Sequence, residues 1–336
     1  MSDSCYEQSY LVGIILATYN CDLSFFEQQV NSIRNQDFCN WLCYITDDLS
    51  SQAVSSRIAK IVEGDQRFIC HFHQQNLGSY RNFEHGLRYF EKIPHVTHLV
   101  FADQDDVWHN DKLTQLLQAM DADNAVLAHS DLELMNKDGK ILHPSVWQYE
   151  GRQPEKLDTT LLLLRNTVTG CTLMLHRSLL SNILPFPHQQ QSGDWYHDHW
   201  IALVAAQCGK IAHVRKSLIK YRQHGSNVVG AQKNTGTIRK EISLWIAKKG
   251  RFTLKSYRIH RDLSGAFYRR FYPDSDQKII NPFSEQRLDF GYSILKLGIR
   301  SAFVGYGAQG ITLRLIINKF IFDCLKIKRW LLRTPT

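Results

Sequence analysis

Short apolar runs separated by amphipathic stretches set the rhythm of the first half of the chain. Leu11–Ala17, Trp41–Thr46, Phe68–Phe72, His98–Ala102 and Ala125–Ala128 have the length and composition of strands. Between them, apolar residues recur at helical spacing. Phe26, Val30 and Ile33 form one stripe, introduced by Ser24 and Glu27 at the spacing of a capping box. Phe83, Leu87 and Phe90 form a second, and Leu113, Leu116, Leu117 and Met120 a third. Alternation of this kind predicts βαβ units and an α/β fold with a mostly parallel sheet flanked by helices. From about residue 131 the rhythm changes. Asn136-Lys137-Asp138-Gly139 reads as a turn, Leu157–Leu164 as a helix and Thr169–His176 as a strand. Pro185-Phe186-Pro187 reads as a loop, Trp200–Ala206 as a helix, and Ile211–Val214 and Leu218–Tyr221 as two short strands. Beyond Gly230 the pattern is mainly helical, so the expected organisation is a domain over 1–230 and a basic helical region over 231–336.

In an open parallel sheet, ligands bind beyond the carboxyl ends of the strands. Each predicted strand is followed there by polar residues: Thr18-Tyr19-Asn20, then Asp47-Asp48, then Asn76-Leu77-Gly78 with Arg81 and Asn82, then Asp103-Gln104-Asp105-Asp106. The last group carries most weight. Three carboxylates within four residues repel one another, and a fold that gathers them needs a compensating cation. Oxygen ligands of this kind suit Mg²⁺ or Mn²⁺ held between protein and phosphate. The competing reading is an acidic loop capping the helix that starts near Asn110. No GxGxxG follows a strand and no GxxxxGK[ST] occurs, which removes the usual phosphate cradles of dinucleotide oxidoreductases and P-loop hydrolases.

Charge divides the chain. Residues 231–336 hold 21 Lys/Arg against 7 Asp/Glu, while the first 230 hold 19 against 25, so the basic character is confined to the back. There it is interleaved with apolar residues such as Leu313, Ile316, Phe320 and Ile321. This pattern suits amphipathic helices lying on an anionic inner membrane surface, and equally suits plain helical packing with a solvated basic face. No nucleic-acid module accompanies the charge, and no nucleic-acid partner is expected. Met1 to Asn20 lacks the basic start of a signal peptide, and no apolar run approaches the roughly 20 residues of a membrane span, so a cytoplasmic location is expected. The eight cysteines form no CxxC pair and read as reduced, mostly buried thiols.

The ordered set of motifs resembles the family 2 glycosyltransferases, inverting enzymes of the GT-A (Rossmann-like) fold. It comprises Ala17–Asn20, Ser32–Gln36, Asp47-Asp48, Asn76-Leu77-Gly78 with Asn82, Asp103–Trp108, Thr169–Thr172, His197–Trp200 and Tyr221–Asn227. The later pieces look closest to rhamnosyltransferase-like members that build O-antigen and capsule. The resemblance implies a nucleotide-diphosphate sugar donor, with dTDP-rhamnose one possibility, and a surface-glycan acceptor linked to polyprenyl diphosphate. It implies that Thr18, Tyr19 and Asn20 line the nucleotide pocket, with Asn76, Gly78, Arg81, Asn82 and Gln104 around it, and that Asp47 or Asp48 bonds the base. Asp103 would lie against ribose and diphosphate, and Asp105 would be the principal ligand of Mn²⁺ or Mg²⁺. His224 either reaches back to that metal or orders its own loop. Asp198 becomes the candidate general base, against the plainer reading that it caps the helix through Trp200. Leu49 departs from the family, which usually has glycine after the paired acids. A non-catalytic scaffold of the same fold and a metal-dependent phosphohydrolase are the competing classes.

Overall fold

The computed structural model describes residues 10–155, 157–224, 251–273, 281–284, 288–303 and 309–331. The leader with Asp3, Cys5 and Glu7, the motif end Gly225-Ser226-Asn227, the pairs Arg239-Lys240 and Lys248-Lys249, and Arg333 lie outside the described residues. The chain divides into two compact units. One is built from Met1–Glu155, Val168–Phe186 and Tyr196–Gln232, the other from Lys156–Thr167, Pro187–Trp195 and Lys233–Thr336.

In the first unit the strands are β1 (Val12–Thr18), β2 (Trp41–Asp47), β3 (Phe68–Phe72), β4 (His98–Ala102), β5 (Val107–Trp108), β6 (Leu127–Asn136), β7 (Ile141–His143), β8 (Leu173–His176) and β9 (Ile211–Gln223). They form a single sheet in the order β3-β2-β1-β4-β8-β6-β9-β5, with β7 paired to β6. The four strands β3-β2-β1-β4 are parallel. Beyond β4 the sheet is mixed: β8 runs antiparallel to both β4 and β6, and β9 runs parallel to β6. Helices α1 (Leu23–Arg34), α2 (Gln52–Val62), α3 (Ser79–Glu91) and α4 (Lys112–Asp123) fill the connections, with short turns α5 (Val146–Glu150) and α7 (Leu180–Ile183) and the longer α8 (His197–Cys208). Central β1 is buried almost throughout, as a strand covered on both faces must be. Gly86 lets α3 settle on it, since a Cβ there would stand 2.3 Å from Ile15 Cγ2.

Several elements differ from the sequence expectation for identifiable reasons. The cap of α1 is Asp22, whose carboxylate accepts from the Ser24 and Phe25 amides; a charged acceptor at the helix start displaces the Ser24–Glu27 box. Strand β6 continues to Asn136, eight residues past the apolar run, through the buried polar residues His129, Ser130 and Asp131. Asp131 is tolerated there because its oxygens accept from Leu132 N, Trp147 N and Ser145 Oγ. The two short strands predicted over 211–221 are one strand, β9. The gap left between them is a bulge, where one step along β6, from Ser130 to Asp131, moves the β9 partner from Val214 to Ser217. The strand predicted from Thr169 begins at Leu173, after a 3₁₀ turn Gly170–Thr172. Of the seven described cysteines, all free, Cys39, Cys208 and Cys324 are exposed, so "mostly buried" is corrected.

The second unit contains α6 (Thr159–Leu162), α9 (Arg251–Phe271), α10 (Tyr292–Phe303) and α11 (Gln309–Leu331). Gly298 brings α10 close to α11, since a Cβ there would meet Thr312 Cγ2 at 2.2 Å. The buried Lys319 is neutralised within α11 by Asp323 at 2.6 Å.

Candidate functional site

The loops after β1, β2, β3 and β4 are tied to one another by their own polar side chains. Thr18 Oγ1 and Ser50 Oγ donate to Asp47 Oδ2 at 2.8 and 2.6 Å. Asn20 N donates to Ser50 Oγ, and Asn20 Oδ1 accepts from Ser51 N. Asp48 is buried and accepts from the Leu77 and Gly78 amides at 2.6 and 2.9 Å, while Asn76 Nδ2 donates to its carbonyl. Tyr19 N donates to Gln104 Oε1 at 2.8 Å, which joins the first loop to the acidic turn. Asn82 is held by two bonds to Thr46. Thus the paired acids Asp47 and Asp48 brace two neighbouring loops. Arg81 is engaged elsewhere, by Glu84 and by the Phe186 carbonyl at 3.2 Å. Leu49 lies at φ +69°, the left-handed region glycine occupies without penalty, and keeping a leucine there costs roughly 1–2 kcal/mol. The turn therefore has the backbone shape of a glycine turn without the glycine.

The acidic turn Asp103–Asp106 is separated from α4 by β5, and the N-cap of α4 is Asp111. The helix-cap reading of the cluster does not hold. Two basic residues that the sequence did not single out organise it. Lys112 is fully buried, donates to the Cys171 carbonyl at 2.8 Å and lies 3.2 Å from the Trp108 ring centre. Burial pushes its ammonium down to about 7, opposed by the Cys171 thiol, Asp106 and Asp103. Arg222, 1% exposed, bonds the Asp105 carbonyl, the Lys137 carbonyl and Gln28 Oε1, and lies over Phe25; its amide donates to Asp106 Oδ1. It clasps the end of β9 to the acidic turn. The same clasp brings His224 Nε2 to 2.6 Å from Asp105 Oδ2. Burial first, then Asp105 and Asp198, raise the Asp103 carboxyl to about 7.

Asp103 and Asp105, with the His224 imidazole, are a hard oxygen and nitrogen donor set that fits Mn²⁺ or Mg²⁺. Among the described residues around this turn, the three whose donor atoms all lie within 4.8 Å of one another are a second trio, Asp103, Asp106 and Cys171. That second trio suits the cation poorly. Burial holds the Cys171 thiol protonated, well above its ordinary value, and the Lys112 ammonium already lies among the three.

Asp198 sits in the first turn of α8, and its Oδ2 accepts from Gly170 N at 3.1 Å. Its charge contributes to the raised pKa of Asp103, so the candidate base and the acidic turn share one electrostatic environment. His197 is buried and packs against Phe83 and Phe101, with ring centres at 3.9 and 5.1 Å. Trp195 and Trp200 belong to the interior, and Trp200 Nε1 donates to the Ile183 carbonyl.

The model of the family described as "Glycosyl transferase family 2" matches residues 13–183. The chain is 25% identical over 230 residues to WfgD of Escherichia coli, a UDP-Glc:alpha-D-GlcNAc-diphosphoundecaprenol beta-1,3-glucosyltransferase, covering 65% of this chain and 79% of that protein. It is 27% identical over 174 residues to TuaG of Bacillus subtilis (strain 168), assigned to teichuronic acid biosynthesis as a glycosyltransferase, covering 52% and 65% respectively. Among solved structures, S. aureus TarS 1–349 in complex with UDP-GlcNAc superimposes with a TM-score of 0.52 at 14% identity, over 95% of this chain and 92% of that one. At that identity the likeness concerns the fold.

Proposed function

Since the chain belongs to glycosyl transferase family 2 and is a glycosyltransferase of the GT-A fold, we propose that it performs a metal-dependent, inverting transfer. The donor is a nucleotide-diphosphate sugar, and the acceptor a lipid-linked precursor of a bacterial surface polysaccharide. The observation that carries this reading is the convergence of Asp103, Asp105, His224 and Asp198 beside loops cross-linked by Thr18, Asp47, Asp48 and Gln104. Asp103, Asp105 and His224 would hold Mn²⁺ or Mg²⁺, which supplies positive charge to the departing diphosphate oxygens. Asp198, oriented by the Gly170 amide, accepts the proton of the acceptor hydroxyl. The new bond forms from that oxygen to the anomeric carbon, and the bond to the diphosphate breaks on the opposite face. The nucleoside diphosphate leaves with the electron pair. Exposed Tyr19 and Asn20, with Asn76 and Gly78 from the loop after β3, would form the nucleotide side of the site, and Asn82, buried against Thr46, would brace it from beneath. Arg81 would have to leave Glu84 to join them.

The names of WfgD and TarS favour a UDP-sugar over dTDP-rhamnose as the donor, and that of WfgD favours a diphosphoundecaprenol-type acceptor. No helix among the described residues is long and apolar enough to cross a membrane. Access to such an acceptor would come through peripheral contact at the inner membrane face. A thermal-shift screen of UDP- and dTDP-sugars with and without Mn²⁺, followed by transfer assays, tests the reading. Asp105→Ala should lose the metal-dependent shift. Asp198→Asn should keep the shift and lose transfer by about 10²–10⁴-fold. Equal shifts without metal would remove the cation, and an active Asp198→Asn would remove the base.

A further inference from the structure

At the outer edge of the sheet, three imidazoles converge where the glycosyltransferase chemistry makes no use of them. His71 is on edge strand β3, His73 follows it on the same face, and His85 projects from α3 above. One ring nitrogen of each lies within 4.8 Å of one from each of the others, and all three rings are half-buried. Their centres are 4.5 to 4.7 Å apart. We propose that His71, His73 and His85 form a second metal site, selective for a borderline transition ion such as Zn²⁺ and separate from the oxygen-rich acidic turn. The proposal stands independently of the transfer reaction.

Chemistry and surroundings support it. Three imidazoles with an open position are a familiar zinc ligand set, whereas Mg²⁺ and Mn²⁺ prefer oxygen. Zinc at about 2.0–2.1 Å from each nitrogen needs the nitrogens about 3.3 Å apart, so closure asks for inward ring movement of at most about 1.5 Å. An imidazole that binds metal through one nitrogen orients itself through the other. Such outer partners are in place: Thr46 Oγ1 and Asn82 Oδ1 lie 3.1 and 3.2 Å from His73 Nε2, and Tyr44 OH lies 3.5 Å from His85 Nδ1. Stacking on Tyr44 accounts for the aromatic character of His71 but not for three convergent nitrogens. Because Asn82 and Thr46 also touch His73, a bound ion would fasten β3 to α3 beside the Asn76–Gly78 loop.

Titration with Co²⁺ as an optical stand-in for Zn²⁺ decides the matter, using the full chain carrying Asp105→Ala to silence the acidic turn. One equivalent should bind with the visible bands of a four-coordinate nitrogen site, and Zn²⁺ should displace it and raise the melting temperature. His85→Phe keeps the ring volume and should weaken Co²⁺ by more than the 10–100-fold expected for losing an outer partner. His71→Gln with His85→Gln should abolish binding, with apo far-ultraviolet circular dichroism checking that each variant is folded. Absence of binding in the Asp105→Ala chain, retention of affinity in His85→Phe, or a near-ultraviolet thiolate charge-transfer band would each overturn the proposal.

Discussion

Gly170 leaves no room for even one carbon beside the candidate base. A Cβ at this position would lie 2.4 Å from His197 Nε2 and 2.8 Å from Cε1. His197 cannot retreat easily, because Phe83 and Phe101 pack against its ring. Gly170→Ala should therefore shift the start of α8, and Asp198 with it, at a cost of about 1–3 kcal/mol from overpacking. Transfer should fall at least tenfold, with the Mn²⁺-dependent donor shift preserved; a variant as active as the parent would show that Asp198 tolerates displacement. At this scale the sequence draws attention to the acids and passes over Lys112 and Arg222. Asp103, Asp105 and Asp198 stand out because each follows an apolar run or opens a helix, where ligands bind. Lys112 and Arg222 look like ordinary solvated charges on a helix start and a short strand. Only the fold brings Arg222 to the carbonyl of Asp105, 117 positions away, and that separation has no spacing signature.

Helix α10 shows a different kind of organisation. Ile294, Gly298 and Ser301 face inward, whereas Tyr292, Leu295, Ile299 and Phe303 are exposed at spacings of three and four, Phe303 to 87%. Lys296 and Arg300 lie beside that stripe, with Lys296 over the Tyr292 ring. An exposed apolar row with cationic flanks suits the surface of an anionic bilayer. Ile299→Ser combined with Phe303→Ser should leave stability nearly unchanged, because both side chains are already exposed. Partition onto phosphatidylglycerol vesicles should fall by about tenfold or more, since each buried side chain of this size is worth about 1.5–3 kcal/mol. Raised salt should weaken the parent's binding as well. Unchanged co-sedimentation would assign the stripe to some other contact. The sequence indicated the cationic and apolar mixture of this region, but not which helix exposes its apolar side. Elsewhere, apolar runs located β1 to β4 well. They failed at β6 and β9, where buried polar residues and a bulge interrupt the pattern, and at α1, where Asp22 outcompetes Ser24.

Over the whole first unit, burial of titratable groups sets two opposing responses to acid. His98, His129 and His197 are buried, and burial lowers them to about 4, 3 and 3. Their folded pKa values lie below the unfolded value near 6.5, so below that pH the unfolded chain takes up protons that the fold refuses. Stability conferred by the neutral rings is thus present above pH 6.5 and declines as pH falls toward 4 and 3. Asp103, raised to about 7, has the opposite sign: the fold holds its proton more tightly than the unfolded chain, and acid stabilises it between pH 7 and about 4. The three imidazoles outweigh the one carboxyl, so the intact protein loses stability in acid, and a single imidazole must be removed to expose its own share. His129→Phe retains an aromatic ring beside Trp147 while deleting one titration. Between pH 7 and 5 the parent should lose about 2 kcal/mol more than this variant, measured as the difference in urea unfolding free energy. Parallel loss in the two proteins would mean that His129 already accepts a proton in the fold, and that its surroundings are wetter than its burial implies.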